Sequence, residues 1–441
     1  MNQKTIATIK QLLPFILSFL CLIFFLLPKS ALSQREPDAV YMNNIHTPQL
    51  FLTANQYGYP IIPLGATNAV ELHFDDFDNY IKTYYYTYQL CNADWTPVDL
   101  SSFDYIDGFS QNRLVQYRQS SVAKTKYVHY MATLPERSCL PKKSGNYLLK
   151  VFLNGDTSKL AFTRRLLIVD NRIPVAIQIQ QPFNPALFKT HQKVQFSIDV
   201  TKLNVLNPQQ QVKVVALQNY RWDNAVTGAQ PAFLRQGVYE YNGEKDFVFP
   251  AGKDYRWLDL RSFRYLSDRI KTINRDVQPF DVMAAPDGER TAQRFIPYND
   301  LNGFYQISCT DADNPFWQGD YGSVHFLFAP ANRQSYADKD LYILGQLTNY
   351  KTDASAKMTW NENLGMYEGN LLLKQGYYTY LMGTKDSNNP KTKPQLDITE
   401  GNYWEAENDY TVLVYYSSFS DRSDELIGIK TINSKLSRSG L

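Results

Sequence analysis

Residues 84–109 read YYYTYQLCNADWTPVDLSSFDYIDGF, and this stretch decides the fold prediction. Its first seven residues are β-forming. Tyr or Leu occupies every even position, while Thr87 and Gln89 occupy odd positions, and this period of two predicts a strand with two unlike faces. Asp94 and Pro97 then break the strand, while Trp95, Tyr105 and Phe109 continue to supply large apolar area. Because so much ring surface would be sticky in water, we expect this loop to fold back onto its own sheet.

Strand-length alternating segments recur along the chain between clusters of Asn, Asp, Gly and Pro, and long amphipathic helical patterns are scarce. This spacing predicts an all-β protein made of tandem immunoglobulin-like or early-set β-sandwich modules. The predicted organisation is a signal peptide at 1–33, an N-terminal β-sandwich at 37–170, a central β-sandwich with long inserts at 173–330, an early-set-like β-sandwich at 338–429 and a flexible tail at 430–441.

The N-terminus has the pattern of a secretory signal. Lys4 and Lys10 precede an apolar run at 12–27, and Ala31 and Ser33 place small residues at the −3 and −1 positions of a cleavage site. The alternative is a membrane anchor, but the run of about 16 residues falls short of the roughly 20 that span a bilayer. We therefore predict an exported protein whose signal peptide is cleaved.

The mature chain is predicted to be nearly neutral. Lys4, Lys10 and Lys29 leave with the signal, so the 45 Lys and Arg of the whole chain become 42 against 43 Asp and Glu. Such a balance argues against nucleic acid or an anionic membrane as the main partner.

Three cysteines remain after cleavage: Cys91, Cys139 and Cys309. In an oxidising compartment this number allows one disulfide and one free thiol, and Cys91 and Cys139 are the candidate pair because they fall in one predicted module. The alternative is that all three are small buried apolar side chains.

Residue patterns of known catalytic and metal sites are missing from the sequence. The five histidines lack metal-ligand spacing, and there is no HExxH, CxxC, GxSxG or glycine-rich phosphate loop. Asp75, Asp76, Asp94, Asp104 and Asp107 are acids at strand ends or in turns, where carboxylates usually accept backbone hydrogen bonds. We expect no catalysis, cofactor or metal; a hydrolase with an unrecognised acid pair is the alternative.

An ordered set of short motifs carries a family resemblance. The motifs are CNADW at 91–95, YIDGF at 105–109, NR at 112–113, HY at 129–130, KSGNYLLKV at 143–151 and FTRR at 162–165. Together they resemble the plug protein of the Bacteroidetes type IX secretion translocon. The resemblance implies a periplasmic β-rich protein that occludes a giant outer-membrane barrel and does no chemistry. It places the protein in the periplasm, peripheral to the outer membrane, with membrane contact only through the barrel. We also expect no nucleic-acid partner and a monomer when free.

We expect the contacts with that partner in one loop and two long inserts. The loop candidates are Asp94, Trp95, Tyr105, Asp107, Phe109 and Arg113, and the inserts are 219–237 and 275–296. Large area with few rotatable bonds suits aromatic side chains to interfaces.

The alternative function is a glycan-binding envelope accessory protein with an early-set carbohydrate-binding-like module. Trp360 and Trp404 are its candidate contacts, although tryptophans at such positions often belong to a core. Arg256, Arg261 and Arg264 also interleave with aromatics. That mixture suits stacking on sugars or bases, but Arg stems more often cover aromatic faces within a sheet.

Overall fold

The computed structural model describes residues 37–389 and 391–438. The alternating segment at the start of the chain forms a run of strands with one short helix, α1 (Ser102–Tyr105). These strands are β1 (Ile45–Leu52), β2 (Ile61–Pro63), β3 (Val70–Asp76), β4 (Tyr84–Cys91), β5 (Ile106–Gly108), β6 (Asn112–Arg113), β7 (Gln116–Gln119), β8 (Val128–Leu134), β9 (Cys139–Pro141), β10 (Gly145–Leu153) and β11 (Leu160–Val169).

The first module, residues 37–170, is a sandwich of two sheets. One sheet has the order β1-β3-β8-β7 and the other β2-β11-β10-β4-β6, and β5 pairs with β9. Side chains of both sheets share one core, in which Tyr84, Tyr86 and Tyr88 are fully buried. The odd-numbered residues of β4 between them are half-buried, so the predicted strand and its two unlike faces are confirmed.

The second part of the chain begins with β12 (Val175–Gln180), β13 (His191–Asp199), helix α2 (Pro208–Gln211), β14 (Val212–Gln218), β15 (Val226–Thr227), β16 (Phe233–Arg235), β17 (Val238–Tyr241) and β18 (Val248–Pro250). One sheet has the order β12-β13-β17-β16, and β18 also pairs with β13. The strands alternate as predicted; for example, β13 buries Val194, Phe196 and Ile198 on its apolar face.

The remaining elements are β19 (Arg256–Asp259), β20 (Ile270–Asn274), β21 (Phe280–Ala284), β22 (Asp287–Gly288), β23 (Tyr305–Ile307), α3 (Pro315–Gln318), β24 (Tyr321–Ala329), β25 (Lys339–Leu344), a 3₁₀ helix (Gln346–Thr348), β26 (Lys357–Asn361), β27 (Met366–Lys374), β28 (Gly376–Asp386), β29 (Asp409–Tyr416), β30 (Glu425–Asn433) and α4 (Ser434–Arg438). The fold class is therefore all-β with several sheets, as predicted.

The strand pairing does not follow the predicted division of the second and third modules. β14 pairs with β29, which pairs with β30, so strands from either side of the predicted boundary at 330–338 share one sheet. Residues 256–386 form a separate ten-stranded sheet with its own core. We call residues 173–250 with 403–438 the second module, and residues 255–400 the inserted module. The prediction assigns strands to modules in the order in which they follow one another along the chain. In the structure, the inserted module interrupts the second module.

The C-terminal tail is also more ordered than predicted. Residues 430–433 continue β30, and Asn433 pairs in register with Asp409 and bonds its carboxylate at 2.8 Å. Ser434 is fully buried at the start of α4 and donates to the carbonyl oxygen of Ala406 at 3.2 Å. The predicted flexible tail is thus wrong for residues 430–438.

The Cys91–Cys139 disulfide is not formed. Both side chains are free thiols. Cys139 lies in the core between the sheets, whereas Cys91 breaks the alternation of β4 and packs with Leu148 and Leu167 in a different apolar cluster. The two thiols therefore belong to different cores, and the alternative of buried apolar cysteines describes them.

Alkylation is expected to distinguish the three thiols. Burial raises the pKa of Cys91 and of Cys139 to about 12, so neither forms the nucleophilic thiolate at pH 8, and both are shielded. Cys309 is only partly buried. Iodoacetamide should modify Cys309 first in the native mature protein, with all three reacting after denaturation without reductant. Mass spectrometry that found only one reactive thiol after denaturation would contradict this.

Helices in the described ranges are all too short, or too polar, to cross a membrane. The predicted signal peptide lies outside the residues that the structure describes.

Candidate interaction surface

The predicted contact loop is divided into a buried part and an exposed part. Trp95 is 6% exposed, so its indole is turned into the protein, and its backbone adopts a positive φ of 67°. It packs edge-on against Trp222 with ring centroids 5.0 Å apart. The Arg165 guanidinium lies 4.8 Å from the Trp95 ring and 5.0 Å from the Trp222 ring. Trp95 therefore joins the first module to the second and is covered by its own chain.

Tyr105 is likewise a core residue. It is 6% exposed, and its ring lies 6.2 Å from that of Tyr147 within the first core. The aromatic loop thus folds back onto its own sheet, as expected from its composition. Neither Trp95 nor Tyr105 is accessible to a partner in this conformation.

The other four candidates are exposed: Asp94, Asp107, Phe109 and Arg113. Asp94 accepts hydrogen bonds from the backbone N–H of Thr96 at 2.9 Å and from its hydroxyl at 2.5 Å, which is a turn function. Phe109 is 68% exposed and has no such local role. The exposed candidates at 107–113 lie beside one edge of the sandwich.

That edge carries further exposed residues that the sequence prediction did not single out. β6 is the last strand of one sheet and β7 the last strand of the other, and Val115 between them is 67% exposed. The Phe109 N–H donates to the carbonyl oxygen of Ser138 at 2.7 Å, and the Asn112 amide donates to the Ser138 hydroxyl at 2.7 Å. These bonds bring exposed Arg137 next to Phe109. We call the set Phe109, Arg113, Val115, β7 and Arg137 the open edge.

The two predicted long inserts are partly structural. Tyr220 stacks on Tyr59 of the first module at 4.7 Å, whereas Phe233 and Leu234 in β16 are exposed. In the second insert, Arg290 forms an ion pair with buried Glu400 at 2.6 Å. Only parts of each insert are therefore available for a partner.

A buried group of charged residues joins the first module to the inserted module. The Asp75 carboxylate accepts hydrogen bonds from His129 Nδ1 at 2.7 Å and from the Tyr321 hydroxyl at 2.5 Å, and it forms an ion pair with Lys374. Side chains of Asp75 and Lys374 are each 1% exposed. We call Asp75, His129, Tyr321 and Lys374 the buried clamp.

The electrostatics of the buried clamp favour a charged Asp75 and a neutral His129. Burial pushes the pKa of Asp75 up, but Lys374 and His129 outweigh it and hold that pKa below its usual value. Burial lowers the pKa of His129 to about 4 in spite of Asp75. His73 lies 3.0 Å from His129 Nε2 and stacks on Phe316 at 4.1 Å, so neighbouring rings close the site to solvent.

Arg256 belongs to a second buried network, within the inserted module. Its guanidinium binds both carboxylate oxygens of Glu400 at 2.9 and 3.1 Å and one oxygen of Asp287 at 2.9 Å. Arg256 also lies over the Phe328 ring at 5.8 Å, and Arg261, which pairs with Asp259 at the surface, lies over the Tyr377 ring at 5.7 Å, so the structural interpretation is correct for both.

The two candidate glycan contacts are partly buried against hydrophobic cores. Trp360 is partly buried against the inserted core, with its ring 5.0 Å from Tyr367, and Trp404 is partly buried against the second core. Neither forms an exposed platform on which a sugar ring could stack.

Within residues 37–389 and 391–438, no group of three or more His, Cys, Asp or Glu is arranged to hold a metal ion. A shallow polar cleft of about 330 Å³ lies between the first and second modules and is lined by Lys142, Lys143 and Arg172 as well as Asp104, Asp170 and Glu425. Its opposite charges balance one another.

The protein consists of β-sandwich modules that present exposed side chains, and this architecture is typical of interaction proteins. More specifically, residues 45–170 match the family model of the type 9 secretion system plug protein, first domain. The chain therefore carries a plug-family first domain, and the resemblance inferred from the sequence is confirmed over these residues. The match supports a role in type IX secretion.

Solved structures include a similar protein. The crystal structure of a hypothetical protein from Parabacteroides merdae ATCC 43184 superposes with a TM-score of 0.84 at 29% sequence identity, covering 90% of this chain and 99% of that chain. No curated protein matches this chain. The similarity extends the shared architecture well beyond the first domain.

Proposed function

We propose that this protein is the periplasmic plug that occludes the large outer-membrane barrel of the type IX translocon, without a catalytic step. The observation that carries the proposal is the match of residues 45–170 to the plug family's first domain. We also propose that the signal peptide is cleaved and that the free protein is a monomer.

Stiffness between modules supports a role in occlusion, because a body that blocks a wide opening must resist deformation. The buried clamp ties the first module to the inserted module, and Arg165 ties the first module to the second between two tryptophan rings. Asp409 of the second module lies 3.4 Å from both the Tyr59 hydroxyl and the Asn302 amide, one from each of the other modules. All three modules thus contact one another through polar side chains.

Affinity purification from the native outer membrane is the direct test. The full chain, tagged at its C-terminus and isolated after mild detergent solubilisation, is expected to retain a very large barrel protein, identified by mass spectrometry. A tagged periplasmic protein of similar size serves as the control. Recovery of the tagged chain without any barrel would count against the proposal.

Deletion of the protein is expected to open a route for large solutes across the outer membrane. Entry of a large antibiotic or fluorescent dextran should rise several-fold in the deletion strain and return to normal on complementation. A barrel deletion combined with the plug deletion should abolish the leak. An unchanged permeability barrier in the single deletion would refute the sealing role.

A further inference from the structure

We propose that the open edge is the docking surface for an acidic, extended segment of the translocon barrel, which adds as a strand beside β7. This inference rests on the proposed function and specifies which face meets the partner. It depends on the backbone of β7, on three cations and on two exposed apolar side chains.

The backbone of β7 is available for pairing. β7 is hydrogen-bonded to β8 on one side only, and all four of its residues are exposed. An edge strand directs half of its N–H and C=O groups away from its neighbour, which is the geometry that an added strand requires.

β1 and β2 are the edge strands at the opposite ends of the two sheets, and both carry proline, whereas β7 does not. β1 contains Pro48 and an irregular register between His46 and Gln49, and Arg164 binds the Pro48 carbonyl at 3.0 Å. β2 ends at Pro63. Proline and irregular register are two of the devices that prevent strand addition. By contrast, β7 pairs with β8 in continuous register and lacks proline.

The charge of this region selects an acidic partner. Residues 108–143 contain seven Lys and Arg but one Glu, although the whole chain is almost neutral. Arg113, Arg118 and Arg137 are exposed, and among the described residues no carboxylate forms an ion pair with them. Glu136 is the one acidic residue of this segment, and its carboxylate accepts a hydrogen bond from the Asn112 amide at 2.9 Å. Unpaired cations beside a free strand edge complement acidic side chains of an added strand.

Apolar contacts complete the surface. Phe109 and Val115 are each about two-thirds exposed on either side of Arg113. Such side chains give an interface its buried centre, while charges at the rim set orientation and association rate. β16 is another exposed edge, but it has three residues, and its one cation, Arg235, lies over Phe233 at 5.4 Å. It also lies outside the residues that match the plug family.

Charge reversal provides the test. The variant Arg113→Glu/Arg118→Glu/Arg137→Glu is compared with Lys202→Glu/Lys245→Glu/Lys271→Glu, which changes net charge equally at exposed positions elsewhere. Each tagged full chain is incubated with detergent-solubilised outer membrane from the plug deletion strain. We expect the open-edge variant to recover at least tenfold less barrel and the control to recover within twofold of the native amount. Equal melting temperatures would establish that both variants fold.

The outcomes separate the two proposals. If the native chain recovers no barrel, the proposed function fails. If native chain and open-edge variant recover it equally, only the docking proposal fails. Hydrogen exchange of the native complex should show new protection at 116–119; protection confined to other surfaces would overturn strand addition. Flotation with phosphatidylglycerol vesicles, lost in the open-edge variant while its barrel recovery persists, would assign the surface to lipid and overturn the proposal.

Discussion

Lys374→Met is expected to lower the free energy of unfolding by about 3–5 kcal/mol, because it leaves the buried Asp75 carboxylate without its cation. Nζ of Lys374 contacts Asp75 and donates to the carbonyl oxygen of Phe316 at 2.5 Å, and methionine replaces neither contact. Asp75 keeps only neutral donors from His129 and Tyr321. Since these residues span two modules, the variant should also loosen the junction between them.

Peptide-resolved hydrogen exchange is the appropriate measurement, because modules of one chain need not unfold together. Faster exchange is expected in β8 and α3, which face each other across the buried clamp. Lys357→Met removes the exposed pair with Asp340 and should cost less than about 1 kcal/mol. The double variant Asp75→Leu/Lys374→Met should recover part of the loss, because it removes both charges. A Lys374→Met protein as stable as the Lys357→Met control would refute this account of the junction.

Local patterns predicted the strands but not their partners. The alternation at 84–90 identified β4 because adjacent residues of a strand lie on opposite faces of the sheet. Nothing local indicates that β14 pairs with β29, nearly two hundred residues later. The inserted module therefore could not be recognised from chain order, and the prediction divides its strands between the central sandwich at 173–330 and the C-terminal sandwich at 338–429.

The same limit applies to the charged residues. Asp75 was interpreted as a turn acid at a strand end, whereas it is buried against Lys374, 299 residues away. Ion pairs of this kind leave no spacing signal in the sequence. The open edge, by contrast, had a signal that a whole-chain charge balance concealed: the excess of Lys and Arg within residues 108–143. The sequence does not indicate which aromatic side chains of the loop are exposed, since the fold buries Trp95 and Tyr105 but leaves Phe109 exposed.

Glu400→Leu is expected to destabilise the inserted module by about 3–5 kcal/mol. Glu400 is fully buried, and its carboxylate binds Arg256 through two bonds, Arg290 at 2.6 Å and the backbone N–H of Met382 at 2.7 Å. Leucine leaves the two guanidinium groups with one fewer anion in an apolar core. Asp287 still pairs with Arg256, which limits the loss. The destabilisation can be measured as faster hydrogen exchange in β19 and β28.

The pH dependence distinguishes a lost charge from lost packing. Burial pushes the pKa of Glu400 up, but Arg256 and Arg290 outweigh burial and lower it, so the native state holds its proton less tightly than the unfolded state. The stabilisation from this carboxylate is therefore complete above the unfolded pKa of about 4.3 and is lost as pH falls through the lower folded value. The stability difference between native protein and Glu400→Gln should shrink as pH falls below about 4. Glu425→Gln, which breaks an exposed pair with Arg172, should show little difference at any pH. A Glu400→Gln difference independent of pH would mean that hydrogen-bond geometry, and not charge, stabilises this core.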